Sequence, residues 1–442
     1  MRALYNILFA IGFVLSAPFY FLKMWRRGHW RAGFDERFGR FGSRVKLAVT
    51  NRHVLWMHAV SVGEVNLCAQ LIRALEPRAP NLKIVVSTTT STGMARLQKE
   101  LPEHILKIYY PIDFRTCVSR AIAALHPDVV VLIEAEIWPN FLWRLRDRRT
   151  PVFLVNARLS PRSHRGYRRL GTFFRPLFAA FAGVGAQNEA DAVRLRELGC
   201  RPEAIHVVGN LKFDAAKLDE RRVLDVPAML RQLGVPEGAP VLVAGSTHAG
   251  EEAALADVFL RLRTRFPDLF LVLVPRHFER GKEVGRELKA RGLRYLYRRA
   301  ITASMRREPR SLDCLVVNTI GELAFFYEQA TVIFVGKSLT GQGGQNPIEP
   351  GALGKAMVFG PNMQNFAAIA ASFVQGQAAV QVRDVAELER ALADLLANPA
   401  RCEELGANAQ RVVRENAGGI ERTVAMILPH LAQEETYIAP IA

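Results

Sequence analysis

The sequence lacks the motifs of the commonest nucleotide and metal enzymes. It contains no Walker A motif, no GxGxxG fingerprint, no HExxH pair and no Asp-x-Asp pair. These absences argue against a P-loop site, a dinucleotide cofactor and a metal-bound diphosphate. The ten histidines are spread along the chain, with His248 and His277 the clearest ones at predicted site turns, so we expect neither a resident metal nor a cofactor.

Cysteine is scarce and follows no pattern. The five cysteines of the 442-residue chain form no CxxC pair. An odd, scattered set is not typical of a disulfide framework or of a cysteine-rich metal site. We therefore interpret all five as structural side chains of a protein whose catalytic part lies in a reducing compartment.

Acidic residues are outnumbered. The chain has 42 Asp and Glu against 59 Lys and Arg, which gives a formal net charge of +17. Such an excess favours acidic partners, namely nucleic acid, anionic lipid or phosphorylated small molecules. The basic residues are dispersed and no aromatic-interleaved motif accompanies them, so no nucleic-acid partner is expected.

The amino-terminal segment from Ala3 to Leu22 has no charged residue and is followed by the basic string "KMWRRGHWR". About 20 apolar residues can cross a bilayer as a helix, and the basic flank predicts that the carboxyl-terminal mass stays in the cytoplasm. The segment lacks the short apolar core and cleavage site of a signal peptide. Asn6 and Pro18 weaken a span, so an anchor lying in the membrane interface and a buried core helix stay open as alternatives.

Past residue 50, short apolar runs alternate with longer segments of helical character. Continuous β-branched runs are typical of strands buried on both faces, and intervening helices make such strands parallel. The runs lie at 54–60, 83–89, 129–135, 151–157, 183–188 and 205–210, and then at 240–247, 269–275, 314–319, 331–338 and 356–361. From about Asp384 onward the pattern indicates helices.

The sequence therefore predicts an α/β protein of two doubly wound, Rossmann-like domains that face a cleft. A chain of 442 residues is too long for one ordinary core, which agrees with this division. We predict a membrane anchor with its basic flank at 1–30, a first domain at 31–213, a linker at 214–227 and a second domain at 228–442.

Polar residues follow the predicted strands, where ligands bind in doubly wound folds. In the first domain, Glu64 opens a helix, Glu134 and Glu136 stand in "IEAEIWPN", and Lys212 stands in "GNLKFD". A glutamate at a helix start is usually a partner of the helix dipole or part of a cap, so a structural role for Glu64 also stays open.

In the second domain, polar residues follow four of the predicted strands. Helix starts with small hydroxyl residues, together with an arginine, form a phosphate site that needs no metal. Two structural alternatives stay open: the turn at 245–247 only caps the following helix, and Arg276 and His277 only form a solvated loop pair. The candidate ligand-binding residues are Ser246, Thr247, His248, Pro275, Arg276, Ile320, Gly321, Glu322, Gly343, Gly344, Gln345, Asn346, Pro347, Ile348 and Glu349.

Seven strings resemble those of one family, in the family's order. They are "SVGEVN" (61–66), "EAEIWPN" (134–140), "VNARLS" (155–160), "GNLKFD" (209–214), "AGSTHAGEE" (244–252), "VPRH" (274–277) and "GGQNPIEP" (343–350). Between residues 50 and 360 the chain resembles the Kdo transferases, which attach 3-deoxy-D-manno-oct-2-ulosonic acid (Kdo) to the lipid A precursor of lipopolysaccharide.

The resemblance implies a GT-B fold and an inverting, metal-independent transfer of Kdo from CMP-Kdo to the precursor, lipid IVA. It also implies a bacterial inner-membrane protein with an amino-terminal anchor and cytoplasmic catalytic domains. By this resemblance Glu64 is the general base, and Glu134 and Lys212 stabilise the transition state. The segments 275–276, 320–322 and 346–349 fall where the family holds CMP.

The chain departs from the family's usual pattern at three positions. Gln345 stands where family members usually have His, Ala135 where they have Thr, and Lys337 where they have Gly. A glutamine accepts and donates hydrogen bonds but cannot become cationic, so a role that needs an imidazolium at 345 is not available. Lys337 is a candidate for the compensating charge.

Two other functions stay open from the sequence. One is a different GT-B enzyme that acts on a UDP-sugar, either a glycosyltransferase or an epimerase. The other is a basic protein without catalytic activity that binds a membrane or nucleic acid. Release of CMP from CMP-Kdo in the presence of a lipid A precursor separates the first function from both.

Overall fold

The computed structural model describes residues 1–26, 31–134, 136–216 and 224–431. The chain forms two compact units, one of Met1–Ala215 together with Ala417–Ala442, and one of Ala216–Asn416. Each unit is built around one parallel sheet, as the alternating pattern predicts.

The first unit contains a seven-stranded sheet in the order β3-β2-β1-β4-β5-β6-β7, and every strand pair is parallel. Its strands are β1 (His53–His58), β2 (Leu82–Thr88), β3 (Leu106–Tyr109), β4 (Val129–Ile133), β5 (Val152–Ala157), β6 (Gly183–Ala186) and β7 (Ile205–Val207). Its helices up to this point are α1 (Arg2–Arg26), α2 (Phe34–Arg37), α3 (Ser43–Val49), α4 (Val62–Leu75), α5 (Ser91–Glu100), α6 (Arg115–Leu125), α7 (Pro139–Asp147), α8 (Pro161–Arg169), α9 (Gly171–Phe178) and α10 (Glu189–Glu197).

Both faces of the first sheet are buried. Val54 and Trp56 of β1 belong to one apolar cluster, which also contains α6 and α7 side chains. Leu55 and Met57 of the same strand belong to a second cluster with α4 and α5 side chains. Successive side chains of a strand point to opposite faces, so a strand covered on both sides must be apolar throughout. This is why β4 reads as the unbroken run Val-Val-Val-Leu-Ile.

The second unit repeats this architecture with the strand order β10-β11-β9-β8-β12-β13-β14, again with parallel pairs. Its strands are β8 (Val241–Thr247), β9 (Phe270–Pro275), β10 (Tyr295–Tyr297), β11 (Cys314–Val316), β12 (Val332–Val335), β13 (Met357–Phe359) and β14 (Val380–Gln381). Its helices are α11 (Val226–Gln232), α12 (Glu251–Arg263), α13 (Gly281–Ala290), α14 (Leu323–Glu328), α15 (Ile348–Ala352), α16 (Ala367–Gln375), α17 (Val385–Ala397) and α18 (Pro399–Asn416).

The last helix, α19 (Gly419–Ile427), returns to the first unit. Val424 and Ile427 lie in the same apolar cluster as the β1 residues Leu55 and Met57. The assignment of all residues from 228 to 442 to the second domain is therefore wrong for this segment. The cause is the apolar face of α19, which a sequence pattern alone cannot assign to one sheet or the other.

The predicted linker 214–227 also needs correction at both of its ends. Asp214 accepts hydrogen bonds from the backbone N–H groups of Gly418 (2.6 Å) and Ile420 (2.9 Å), so it belongs to the first unit and fixes the start of α19. Val226 already begins α11, whose N-cap is the Asp225 carboxylate. The remainder of the linker, residues 217–223, lies outside the described residues.

Three edge strands escape the sequence analysis. They are β3, β10 and β14, which lie at the outer positions of the two sheets and have at most four residues each. An edge strand pairs on one side only and is partly exposed, so its sequence lacks the long apolar run of a central strand. The interior strands of both sheets lie where the runs predict them.

Helix α1 contains the apolar segment of the amino terminus, with Pro18 inside it. Residues Arg2–Leu22 are long and apolar enough to cross a membrane, judged by length and composition alone. Leu4, Leu8, Ile11 and Leu15 are exposed, whereas Tyr5 and Phe9 on another face are half-buried. The basic flank after the helix falls partly on residues 27–30, which lie outside the described residues.

Candidate active site

Glu64 lies in the first turn of α4, directly after β1. Its carboxylate accepts hydrogen bonds from the backbone N–H groups of Val60 (2.8 Å) and Ser61 (3.3 Å), and Ser61 in turn accepts one from the Glu64 N–H. This reciprocal pattern is a capping box. The structural role that the sequence leaves open for Glu64 is therefore real, and it holds a buried carboxylate at the carboxyl end of the first sheet.

The environment of Glu64 raises the pKa of its carboxyl group. Burial is the largest cause, and the negative charges of Glu134 and Glu136 add to it, while the hydrogen bonds from Val60 and Ser61 act in the opposite direction. Each carboxylate oxygen has two lone pairs, so a capping hydrogen bond leaves capacity to accept a proton. A carboxyl group with a raised pKa is suited to general-base catalysis.

Glu134 and Glu136 lie in the carboxylate loop, which we define as residues 134–138 between β4 and α7, with Ala135 outside the described residues. Lys212 Nζ lies 3.8 Å from Glu134 Oε1. Trp138 donates a hydrogen bond from its indole N–H to Glu136 (2.8 Å), and burial raises the pKa of Glu136. The structure thus brings together the three predicted catalytic side chains of the first unit, and it adds Glu136.

Lys212 is held by a network of amides that the sequence analysis missed. Asn210 donates to the Gln187 side chain (3.0 Å), and Gln187 donates to the backbone carbonyl of Asn156 (3.0 Å). The Asn156 side chain accepts from the N–H of Leu211 (3.2 Å), and that of Asn210 accepts from the N–H of Lys212 (3.1 Å). Asn156 lies near the end of β5, and Gln187 and Asn210 follow β6 and β7. The strand-end rule that identified Lys212 therefore points to these positions, although not to the contacts between them.

Strained backbone marks the carboxyl ends of both sheets. Glu134, Asn156, Ser246 and Lys337 have φ values of 65°, 52°, 55° and 55°. Glu134 directly follows β4, Asn156 and Ser246 are the penultimate residues of β5 and β8, and Lys337 lies two residues after β12. A non-glycine residue in this left-handed region costs on the order of 1–3 kcal/mol, and such residues concentrate at functional sites.

The end of β8 and the turn that leads into α12 contain the first candidate ligand-binding residues of the second unit. The Thr247 side chain is fully buried, and its hydroxyl has no hydrogen-bond partner among the described residues. His248 Nδ1 lies 3.2 Å from the backbone oxygen of Ser246, and burial lowers the pKa of the His248 imidazole. These surroundings therefore favour the neutral form of His248 in the turn that leads into α12.

Glu251 organises two loops of the second unit. Its carboxylate is fully buried and accepts the backbone N–H groups of His248 (3.0 Å), Lys337 (2.7 Å), Ser338 (2.9 Å) and Leu339 (3.0 Å). The loop after β12 is thereby fixed against the turn after β8. Glu251 is a structural residue at this site, as its place at a helix start suggests.

The stretch 343–350 turns as its glycines predict. Gly343 and Gly344 have φ values of 117° and 70°, and a Cβ atom on Gly344 would lie 2.5 Å from Met363 Sδ. The chain then enters the short helix α15 with Pro347 at its N-cap position. Only glycine fits this turn without strain, because other residues rarely adopt positive φ.

Glu349 is the carboxylate of this stretch. The Asn346 amide donates to Glu349 Oε1 (3.3 Å), and the Asn346 oxygen accepts the N–H of Ile348 (3.1 Å). Burial raises the pKa of Glu349, while the Asn346 hydrogen bond and the positive charge of Arg276 lower it. The charge of Arg276 therefore acts on Glu349, although the two residues are 73 positions apart in the sequence.

The turn after β11 contains the remaining candidates. Ile320 is exposed, and Gly321 has a φ of 82°. Glu322 accepts a hydrogen bond from the Thr319 hydroxyl (2.7 Å) and lies 2.9 Å from Arg298 Nε. These contacts fix the orientation of the Glu322 carboxylate, and Arg298 occupies part of its capacity to accept hydrogen bonds.

Lys337 lies close to the glycine turn. Its Cε is 3.6 Å from the position that a Cβ on Gly343 would occupy, and its positive charge contributes to the lowered pKa of His248. The expectation that Lys337 brings a cation near segment 343–349 is consistent with this placement. Gln345 is half-buried in the same segment.

A cavity of about 960 Å³ lies in the first unit, away from the candidate residues of that unit. Arg52 and His53 at the amino end of β1 and Asp128 just before β4 contribute to its wall. The candidate side chains of the first unit are at the opposite, carboxyl ends of these strands. The cavity is therefore separate from the candidate site.

The chain is similar to one family of enzymes. Residues 32–215 match the family described as 3-deoxy-D-manno-octulosonic-acid transferase (kdotransferase). The 3-deoxy-D-manno-octulosonic acid transferase of Bordetella pertussis is 34% identical over 423 residues, which cover 92% of this chain and 95% of that protein. The transferase of the same name from Haemophilus influenzae is 30% identical over 91% of this chain and 92% of its own length.

Solved structures with lower sequence identity share the fold. The UDP-GlcNAc 2-epimerase of Neisseria meningitidis, solved with bound UDP-GlcNAc, superimposes with a TM-score of 0.57 at 14% identity. The match covers 85% of this chain and all of that one. Together with the two seven-stranded parallel sheets, this similarity confirms the GT-B-like fold class that the sequence predicts.

Proposed function

Because the chain belongs to the Kdo transferase family of glycosyltransferases, we propose that it moves Kdo from CMP-Kdo to the lipid A precursor lipid IVA. We place this reaction at the cytoplasmic face of the bacterial inner membrane, in lipopolysaccharide biosynthesis. The observation that carries the proposal is the group of Glu64, Glu134 and Lys212 at the carboxyl ends of the first sheet, in a chain that is 34% identical to a transferase of this kind.

Glu64 is the general base of the proposed reaction. It removes the proton from an acceptor hydroxyl while the hydroxyl oxygen forms a bond to the anomeric carbon of Kdo. The bond between that carbon and the phosphate oxygen breaks at the same time, and CMP leaves with the electron pair. Attack on the face opposite the leaving group inverts the anomeric configuration. The raised pKa of Glu64 favours proton acceptance, and its capping hydrogen bonds fix its position.

Glu134 and Lys212 stabilise the charges that develop during the transfer. The transition state has positive character at the sugar ring and negative character at the leaving phosphate. The strained backbone of Glu134 and the amide network around Lys212 support this assignment, because both features hold these side chains in fixed positions. Preorganised charges need no reorganisation at the moment of reaction.

The second unit binds CMP-Kdo in this proposal. Arg276 and the hydroxyl groups of Ser246 and Thr247 meet the phosphate, and Glu349 accepts hydrogen bonds from the ribose hydroxyls. The described part of the chain contains no group of three or more His, Cys, Asp or Glu placed to hold a metal ion. We assign the stabilisation of the leaving phosphate to the guanidinium of Arg276 and the two hydroxyl groups.

Two features of the first unit fit an acceptor that lies in a membrane. The exposed apolar residues of α1 suit a lipid surface. Helix α8 has no buried residue and contains Arg162, Arg165, Arg168 and Arg169. Exposed basic residues of this kind attract anionic lipid headgroups and the phosphates of a bisphosphorylated acceptor.

The proposal is tested with purified protein, CMP-Kdo and a defined lipid A precursor. We expect release of CMP and a product whose mass exceeds that of the precursor by one or more Kdo residues. Parallel reactions with UDP-sugars, with and without the precursor, test for another glycosyltransferase or an epimerase. Turnover of a UDP-sugar without any CMP release would overturn the proposal.

A further inference from the structure

Helix α1 is joined to helix α7 by polar contacts at both ends of α7. The Arg2 guanidinium lies 2.8 Å from the Asp147 carboxylate at the last residue of α7. The Asn6 side-chain oxygen accepts a hydrogen bond from the Asn140 amide (2.9 Å) at the second residue of α7. These polar contacts therefore hold α1 against both ends of α7.

Aromatic packing adds to these contacts on the same face of α1. The ring of Tyr5 lies edge-on to Trp143 of α7, with 5.6 Å between ring centroids. Phe9 and Phe13 both pack edge-on against Phe114, at 5.2 Å and 5.0 Å. Residues at these spacings line one face of a helix. Leu4, Leu8 and Ile11 on the opposite face remain exposed, so α1 is docked through its aromatic face only.

Asp113 connects the docked face of α1 to the start of α7. Its buried carboxylate accepts the Tyr5 hydroxyl (2.8 Å) and the backbone N–H groups of Asn140 (3.0 Å) and Phe141 (2.9 Å). These N–H groups lie in the first turn of α7, where they have no partner within the helix. Burial raises the pKa of Asp113 to about 6, and the donated hydrogen bonds, including that of Tyr5, oppose the shift.

The start of α7 is also the end of the carboxylate loop. Trp138 is the N-cap residue of α7 and donates its indole N–H to Glu136, and Glu134 lies only four residues before it. A movement of the first turn of α7 therefore changes the position of Trp138 and, through its indole hydrogen bond, that of the Glu136 carboxylate. Misplacement of catalytic groups by 1 Å is enough to slow a reaction strongly.

We propose that α1 is a positioning element of the active site, and that Tyr5 and Asn6 hold Glu136 in place through Asp113, Asn140 and the first turn of α7. This proposal rests on the transferase reaction proposed above. It assigns to the amino-terminal helix a second role besides contact with the membrane. An enzyme whose α1 is undocked would keep its donor site and lose the geometry of its carboxylate loop.

The test compares Tyr5→Phe and the double variant Tyr5→Phe/Asn6→Ala with the matched control Tyr20→Phe. Tyr20 lies on the same helix with its side chain 60% exposed, so the control removes the same hydroxyl where no docking contact is made to Asp113. All proteins are assayed with acceptor in detergent micelles, which removes differences in membrane affinity. We expect kcat of the double variant to fall about tenfold or more, with KM for CMP-Kdo unchanged and Tyr20→Phe equal to the unaltered protein.

Hydrogen exchange gives a second readout that does not depend on turnover. The N–H groups of Asn140 and Phe141 are expected to exchange faster in Tyr5→Phe/Asn6→Ala and at the original rate in Tyr20→Phe. Unchanged exchange at these positions, or an unchanged kcat in the double variant, overturns the positioning role. Absence of turnover in the unaltered protein instead overturns the proposed function, and the exchange measurement still decides the role of α1.

Discussion

In both units the first strand leads into a helix whose first turn contains a buried glutamate, Glu64 in the first unit and Glu251 in the second. Within the described part of the chain, Glu64 accepts N–H groups from its own turn only. Glu251 accepts four N–H groups, three of which come from the loop after β12. At equivalent positions, a glutamate thus caps its own helix in the first unit and holds two loops together in the second.

The difference lies in what surrounds each carboxylate. Burial raises the pKa of Glu64, and the charges of the two further carboxylates Glu134 and Glu136 raise it further. Glu251 faces backbone donors that use both of its oxygens. The first unit therefore concentrates negative charge, which suits proton removal, whereas the second neutralises its glutamate with N–H groups and adds Arg276 and Lys337, which suit an anionic sugar donor. A glutamate at a helix start is therefore best judged by its neighbours, because its position alone fits both uses.

The largest expected effect is that of Glu64→Gln on catalysis. Glutamine also completes a capping box through its one oxygen, so α4 keeps one of the two hydrogen bonds that Glu64 accepts, but an amide cannot accept the proton of the acceptor. We expect kcat to fall about 10²–10⁴-fold, the usual contribution of a general base. The affinity for CMP-Kdo, measured by calorimetry, should stay within twofold. Retained turnover in this variant would exclude Glu64 as the base.

The matched change Glu251→Gln is expected to act on stability. One of the two oxygens becomes an NH₂ group that faces backbone donors, which leaves buried N–H groups without an acceptor. Each unsatisfied buried group costs roughly 1–3 kcal/mol of unfolding free energy. Denaturant unfolding followed by circular dichroism measures this loss. A fully stable Glu251→Gln protein that has lost turnover would instead place Glu251 among the catalytic residues, and the comparison of the two glutamates would fail.

The smallest expected effect is a shift in pH dependence. The proposed base must be ionised, so kcat/KM falls as the pH drops through the pKa of Glu64, which lies above its usual value. Glu136→Gln removes a negative charge that contributes to this raised pKa. The acid limb of kcat/KM should therefore move to lower pH in the variant. A limb that stays in place or moves to higher pH would show that Glu136 does not act on the base in this way.

The sequence predicts the parts of the site that depend on strand ends. Glu64, Glu134 and Lys212 each follow an apolar run, and the structure brings the last two to within 3.8 Å. The roles of these residues stay predictions. The amides of Asn156, Gln187 and Asn210 were not identified as a network, because their side chains meet through contacts between three different strands. Periodicity along the chain contains no signal for such contacts.

The same limit explains the errors at the domain boundaries. Asp214 is a charged residue in a stretch without strand signals, which is typical of a linker. Its partners Gly418 and Ile420 lie more than 200 positions further along the chain. The docking of Tyr5 on Asp113 spans 108 positions and was missed for the same reason. Fold class follows from local patterns, whereas these long-range hydrogen bonds become visible only in three dimensions.

The return of α19 makes the second unit an insertion within the first. The chain leaves the first unit after Ala215 and re-enters it at Ala417, and Asp214 is hydrogen-bonded to the re-entry point. The Asp214 carboxylate therefore holds the point where the chain leaves the first unit next to the point where it returns. A graft that exchanges the second unit for that of a relative must therefore keep both junctions. A single cut in the chain at one junction leaves the two units covalently joined through the other.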